Sequence, residues 1–282
     1  MRFVLGVALV GLTLCVGCQS EPAVEVSEPT PVEVRAAISK LGAKLQLDDN
    51  KAIVRIGLYH PKDFDPRYSG RTKAITDAGL VHLKGLTYLQ VLSLSEPKVT
   101  DAGLAHLKGL KNLRFLELAG TNNVTDAGLV HLKGMKNLGK LNLGFTNVAG
   151  AGLVHLKGLK NLTALDLTFT RVNDAGLTHL KELANLAGLT LMGTHVTNAG
   201  LAHLKGLSRL YYLYLQDTAV TDAGLVNLEG LTNLKSLHLG DTKVTDVGIK
   251  KLQQALPNCR INLDSISDEV RAIIAEQLKG RE

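Results

Sequence analysis

Residues 100–124 read TDAGLAHLKGLKNLRFLELAGTNNV, and two periods meet inside this stretch. Leu104, Leu107 and Leu110 recur every three residues, which lays one apolar stripe along a short helix. Leu113, Leu116 and Leu118 then change to an LxxLxL spacing, in which Leu116 and Leu118 alternate as in a strand. Thr100 or Asp101 is a candidate N-cap, because a short side-chain oxygen can accept one of the helix's free N–H groups. Neither element can bury its leucines alone, so the unit predicts stacking of one copy on the next.

The copies are present. The glycines of the TDAGL-type core fall at Gly79, Gly103, Gly128, Gly152, Gly176, Gly200, Gly224 and Gly248, spaced by 24 residues except where Asn122–Asn123 adds one. A fixed period with leucines at set offsets is the signature of an α/β leucine-rich-repeat solenoid. Each unit supplies one short helix and one parallel strand, and the sheet curves with a concave open face. With units of the form VTDAGLxHLKGLxNLxxLxLxxT, residues 52–263 resemble bacterial leucine-rich-repeat proteins of planctomycete-type genomes. More distantly they are similar to the cysteine-containing repeats of eukaryotic F-box adaptors, with Thr where those carry Cys. The resemblance implies the solenoid and a role in protein interaction. No stretch looks like an F-box, so a part in ubiquitin transfer is not implied.

Upstream of the repeats, Met1-Arg2 precedes an apolar run from Phe3 to Gly17. The run is too short for a membrane-spanning helix and reads as a secretory signal. Its end, Leu14-Cys15-Val16-Gly17-Cys18, resembles a bacterial lipobox, with Cys15 where Leu is usual. That resemblance implies a lipid on Cys18, a membrane anchor, and, with Gln19 following, the periplasmic side of the outer membrane. The alternative is a signal cleaved without lipidation. The expected organisation is a signal peptide over 1–17, a lipidated Cys and Pro/Glu-rich tether over 18–34, and an N-terminal cap over 35–74. Eight repeat units follow over 75–263, the last incomplete, then a capping helix over 264–282. In the N-terminal cap, Ala36, Ile38 and Leu41 predict a short helix, and Ile53, Ile56 and Leu58 predict the first strand. The excess length between Leu58 and Leu94 predicts an inserted loop from about Pro61 to Ala74. Of the three cysteines, only Cys259 lies in the repeats, so no intramolecular disulfide is expected and Cys259 reads as a small buried apolar residue.

The formal charge of +6 is partly a ladder: Lys84, Lys108, Lys133, Lys157, Lys181 and Lys205 share one repeat position, broken by Glu229. His82, His106, His131, His155, His179 and His203 form a second ladder two places earlier. Both fall on the polar, convex side, where a solvated face is the plain reading and contact with anionic lipid or polysaccharide the functional one. No aromatic residues interleave with the lysines, which argues against nucleic acid. Identical histidines follow from duplication of the unit, so no metal is expected. The sequence has no GxSxG elbow, P-loop or HExxH. A solenoid also spreads the same residues along a line, whereas catalysis needs different ones to converge. A non-enzymatic protein with no cofactor and no small-molecule substrate is therefore expected.

What varies between units is informative. Around the middle strand leucine, one row reads Val91, Phe115, Lys140, Ala164, Gly188, Tyr212, Ser236, and the other Ser93, Glu117, Asn142, Asp166, Thr190, Tyr214, His238. Alternation sends both rows to the concave face. Tyr212, Tyr214 and His238, with Asp217 and Asp241 at the strand ends, form the richest cluster for binding a protein or peptide. Phe145 and Phe169, just beyond the strands, read as a second apolar spot.

Overall fold

The computed structural model describes residues 44–50, 52–57, 75–94 and 98–278, together with Ala36. The signal, the tether, most of the helix expected near residues 36–41, Leu58 and the inserted loop lie outside the described residues. Among the described residues ten strands form one sheet in chain order: β1 Lys44–Leu47, β2 Ile53–Gly57, β3 Val91–Ser93, β4 Phe115–Glu117 and β5 Lys140–Asn142, then β6 Ala164–Asp166, β7 Gly188–Thr190, β8 Tyr212–Tyr214, β9 Ser236–His238 and β10 Arg260–Asn262. From β2 onward every pair is parallel and aligns equivalent repeat positions, for example Leu116 with Leu141 and Leu141 with Leu165. The leucines of each coil close one continuous core behind this sheet.

The first pair departs from the repeat. β1 runs antiparallel to β2, and Asp48 shapes the turn between them by accepting from the Asn50 and Ala52 N–H groups through Oδ1. A hairpin thus stands where a parallel coil would begin, closing one edge of the sheet.

Before the C-terminal helices, the helical segments of the coils are shorter and tighter than the word helix suggests. Asp101–Leu104 is a single α-helical turn that continues as a 3-10 turn over Ala105–Leu107, while Gly128–Leu132 and Ala151–Leu156 are 3-10 throughout. The leucine spacing of three explains this, since three residues per turn keeps Leu129, Leu132 and Met135 on one buried face.

Coils are joined by a polar staple that resolves the roles of Thr100 and Asp101. Thr100 Oγ1 caps its own helix by accepting from Ala102 N–H at 3.2 Å. Asp101 instead reaches the next coil, where its carboxylate accepts from Thr125 N–H at 2.8 Å and Thr125 Oγ1 at 2.6 Å. Asp77–Thr100, Asp174–Thr197 and Asp222–Thr245 repeat the arrangement. The recurring glycine belongs to the same device: a Cβ at Gly128 would overlap the Asp101 carboxylate. In the same connections between strand and helix, a column of threonines is turned inward. Thr121, Thr146, Thr170, Thr194 and Thr218 are buried, and each satisfies its hydroxyl on the carbonyl three residues earlier at 2.6–2.7 Å.

At the C-terminal end, Cys259 is buried, and burial pushes its thiol pKa up. Helix Asp268–Leu278 follows β10 with Ile274 buried. Among the described residues no helix is long and apolar enough to cross a membrane.

Candidate functional site

On β4 to β9 the middle leucine is buried and its two neighbours face the open side of the sheet. Registers pair Ala164 with Gly188 and Gly188 with Tyr212 in one row, and Asp166 with Thr190, Thr190 with Tyr214 and Tyr214 with His238 in the other. Ala164 and Gly188 carry almost no side chain, so the first row drops between Lys140 and Tyr212. A depression of about 330 Å³ results, lined also by Phe115, Glu117, Asn142 and Asp166.

One wall is aromatic and fixed. Tyr212 is 47% exposed and leans on Tyr211, with ring centroids 4.6 Å apart and planes tilted by 60°. Tyr214 stacks on His238 at 4.3 Å and 13°, and His238 Nε2 lies 3.0 Å from Ser236 Oγ. Burial lowers the His238 pKa, the positive charge of Arg260 adds to the effect, and Asp264 opposes it. Burial thus favours the neutral form of the stacked imidazole.

The floor is acidic. Burial raises the Glu117 pKa to about 7 against the hydrogen bonds it receives from Ala119 N–H and the Asn142 amide, and Asp166 pushes the same way. Asp166 is itself raised by burial, although its Oδ1 accepts from Thr168 N–H at 2.8 Å. A positive side chain delivered by a partner would favour the charged form of both carboxylates.

The remaining sequence candidates separate. Asp217 is exposed beside this cluster, its backbone N–H bonded to Gly240 O at 3.0 Å. Asp241 is committed to the C-terminal cap: it accepts from Ile266 N–H at 2.9 Å and pairs with Arg271 at 2.8 Å. Those contacts, the Ile266 N–H foremost, hold its pKa below the usual carboxylate range. Phe145 and Phe169 stack at 5.3 Å, but Phe169 is buried, so the apolar spot expected from the pair is mostly interior. Both occupy the turn after the strand, in a left-handed conformation shared by Gly120, Gly193, Asp217 and Asp241 at the same repeat position. Sequence reasoning named the tyrosines and missed Ala164, Gly188, Glu117 and Asp166 as parts of one site. The available signal was two small residues in successive coils immediately before an aromatic one.

On the convex side, Lys84, Lys108, Lys133, Lys181 and Lys205 are exposed, while Lys157 is half-buried and lies 4.0 Å from Glu182. The ladder histidines are half-buried, and burial, Lys157 and Lys181 lower the His179 pKa. Among the described residues no group of three or more His, Cys, Asp or Glu side chains is placed to hold a metal.

The comparisons agree with this architecture. The family described as Leucine Rich repeat matches residues 158–181 and 230–252. Internalin C2 from Listeria monocytogenes superposes with a TM-score of 0.59 at 23% identity, covering 83% of this chain and 93% of that one. An internalin (InlF) from the same organism gives a TM-score of 0.40 at 19% identity, over 69% of this chain and 72% of that one. No curated protein matches the chain. The likeness to internalin C2 is one of fold: the protein is a leucine-rich-repeat solenoid, an architecture that typically serves protein interaction.

Proposed function

We propose that the chain is a membrane-tethered, non-enzymatic recognition module that takes a protein or peptide on its concave face. The observation that carries this reading is the depression between Lys140 and Tyr212, where a rigid aromatic wall stands beside two desolvated carboxylates. Tyr212 and Tyr214 supply large contact area at low entropic cost, as anchors in protein recognition do. Glu117 and Asp166 favour a partner segment that brings a Lys or Arg over the floor, flanked by tyrosine faces that also attract cations. Lipid on Cys18 and the Pro/Glu-rich segment behind it would hold the solenoid at the bacterial envelope, on the periplasmic face of the outer membrane.

The test is a pull-down from envelope extract with the protein and its Tyr212→Ala/Tyr214→Ala double variant, at low and moderate salt. A partner held by the parent at both salts and lost by the variant is the expected result. The exposed row Lys108, Lys133, Lys181 and Lys205 favours a second reading, an envelope protein lying against anionic lipid or polysaccharide. Capture that ignores the tyrosines and disappears as salt screens the lysines would select that reading instead.

A further inference from the structure

Two departures from the repeat fall in one place. At the N-terminal edge of the sheet most coils carry an Asn just before the first strand leucine. Each of these donates from Nδ2 to a carbonyl of the preceding coil: Asn112 to Thr87 at 2.8 Å, Asn137 to Lys111 at 3.1 Å and Asn161 to Lys136 at 2.9 Å. Tyr88 takes this position in the coil before Asn112, and its side chain is 67% exposed. The neighbouring row reads Gln90, Arg114, Gly139, Thr163, Ala187, Tyr211 and Lys235. Gly139 leaves a gap there, and the gap opens a depression of about 420 Å³ lined by Tyr88, Gln90, Asn112, Arg114, Asn137 and Asn161. That is within the range of small-molecule sites, roughly 300–1,000 Å³.

The lining selects the class of ligand. Four side-chain amides, one guanidinium and one open aromatic face surround the space. An apolar ligand would strip water from the amides and return no hydrogen bonds. An anion would meet one cation, Arg114, among a row of amide oxygens. A neutral ring bearing many hydroxyls satisfies every group. Its hydroxyls donate to the amide oxygens and accept from Arg114 and Gln90, while its C–H face lies against the electron-rich face of Tyr88. The asparagine amides are already fixed by the preceding coil, so little side-chain freedom is lost on binding. We propose that this edge is a binding site for a neutral oligosaccharide, separate from the concave face.

The test is an NMR titration of the full-length protein with maltotetraose, cellotetraose and chitotetraose at millimolar concentrations. Three variants accompany it. Tyr88→Ala removes the stacking face at an exposed position. Gly139→Tyr fills the depression, and should fold, because a Cβ at Gly139 meets nothing closer than Arg114 O at 3.5 Å and Tyr211 occupies the equivalent place. Tyr212→Ala is the concave-face control. At least one sugar should saturate; its affinity should fall about tenfold or more, roughly 1.4 kcal/mol, in Tyr88→Ala. It should vanish in Gly139→Tyr and stay unchanged in Tyr212→Ala. Saturation by none of the three sugars overturns the proposal. So does binding indifferent to Tyr88→Ala, or lost in Tyr212→Ala.

Discussion

Phe145 and Phe169 stand at φ 57° and 49°, in a turn that other coils build with Gly or Asp. A bulky side chain in the left-handed region costs about 1–2 kcal/mol. The two rings stack at 5.3 Å, worth about 0.5–1.5 kcal/mol, and the Phe169 ring is folded down against the next coil at Gly193. Gly193 is thus needed twice, for its own φ of 64° and for the space the ring fills. Gly193→Ala should destabilise the protein by about 1–3 kcal/mol in urea unfolding. Gly188→Ala should cost little, because its new Cβ would meet only Ala164 Cβ at 3.9 Å. Equal losses at the two sites would refute the packing account. Glu117 makes a different demand. Its folded pKa of about 7 lies above the ordinary 4.5, so the folded chain holds a proton that the unfolded chain releases. The stability that proton confers is present below pH 4.5 and is lost as pH rises through 7, by roughly 3 kcal/mol. Glu117→Gln should flatten the stability profile across that window, and a profile with the same slope in the variant would rule the assignment out.

At the scale of the element, what joins one coil to the next is the staple of Asp, Thr and Gly. Asp101 accepts two short bonds from Thr125, one from the backbone and one from the hydroxyl. Asp126 finds Ala149 and Gly150 instead, and accepts only from their N–H groups at 3.1 and 3.2 Å. In the following coil Gly150 replaces the acid altogether, with φ 112°, and its Cα packs close against Gly176. Asp101→Ala should therefore cost about 1–3 kcal/mol, and Asp126→Ala clearly less, in parallel denaturant titrations. If Asp126→Ala costs as much as Asp101→Ala, the hydroxyl bond contributes little. Much of this organisation was legible in the sequence, because a 24-residue period fixes which positions meet. Leu116 had to lie beside Leu141, whatever the angle between coils. The staple was legible only in principle, since Asp101 and Thr125 pair at a distance of one period and nothing within one unit announces it. The β1 hairpin escaped because the cap is not a copy of anything. The floor of Ala164 and Gly188 escaped because a depression is read from what is absent.

For the molecule as a whole, each coil touches only its neighbours, so stability is nearly a sum of coil and interface contributions closed by two caps. The β1–β2 hairpin covers one end. At the other, Asp241 and Arg271 tie the helix Asp268–Leu278 to the last complete coil. Residues 19–34, rich in Pro, Ser and Glu, have no apolar period with which to pack against such an array. Anchoring and folding are then separable functions of one chain. On the proposed lipid attachment, Cys18→Ser should move the protein from the membrane fraction to the soluble fraction of an envelope preparation and leave its melting temperature unchanged. Burial of acyl methylenes, about 0.8 kcal/mol each, is far too large for salt to reverse. The parent protein should therefore stay with the membrane through a high-salt wash. A Cys18→Ser variant that remains membrane-bound until salt is added would transfer the anchoring role to the convex lysines Lys108, Lys133, Lys181 and Lys205, and with it the orientation of the concave face. The lysines would then lie on the membrane and Tyr212 would face away from it.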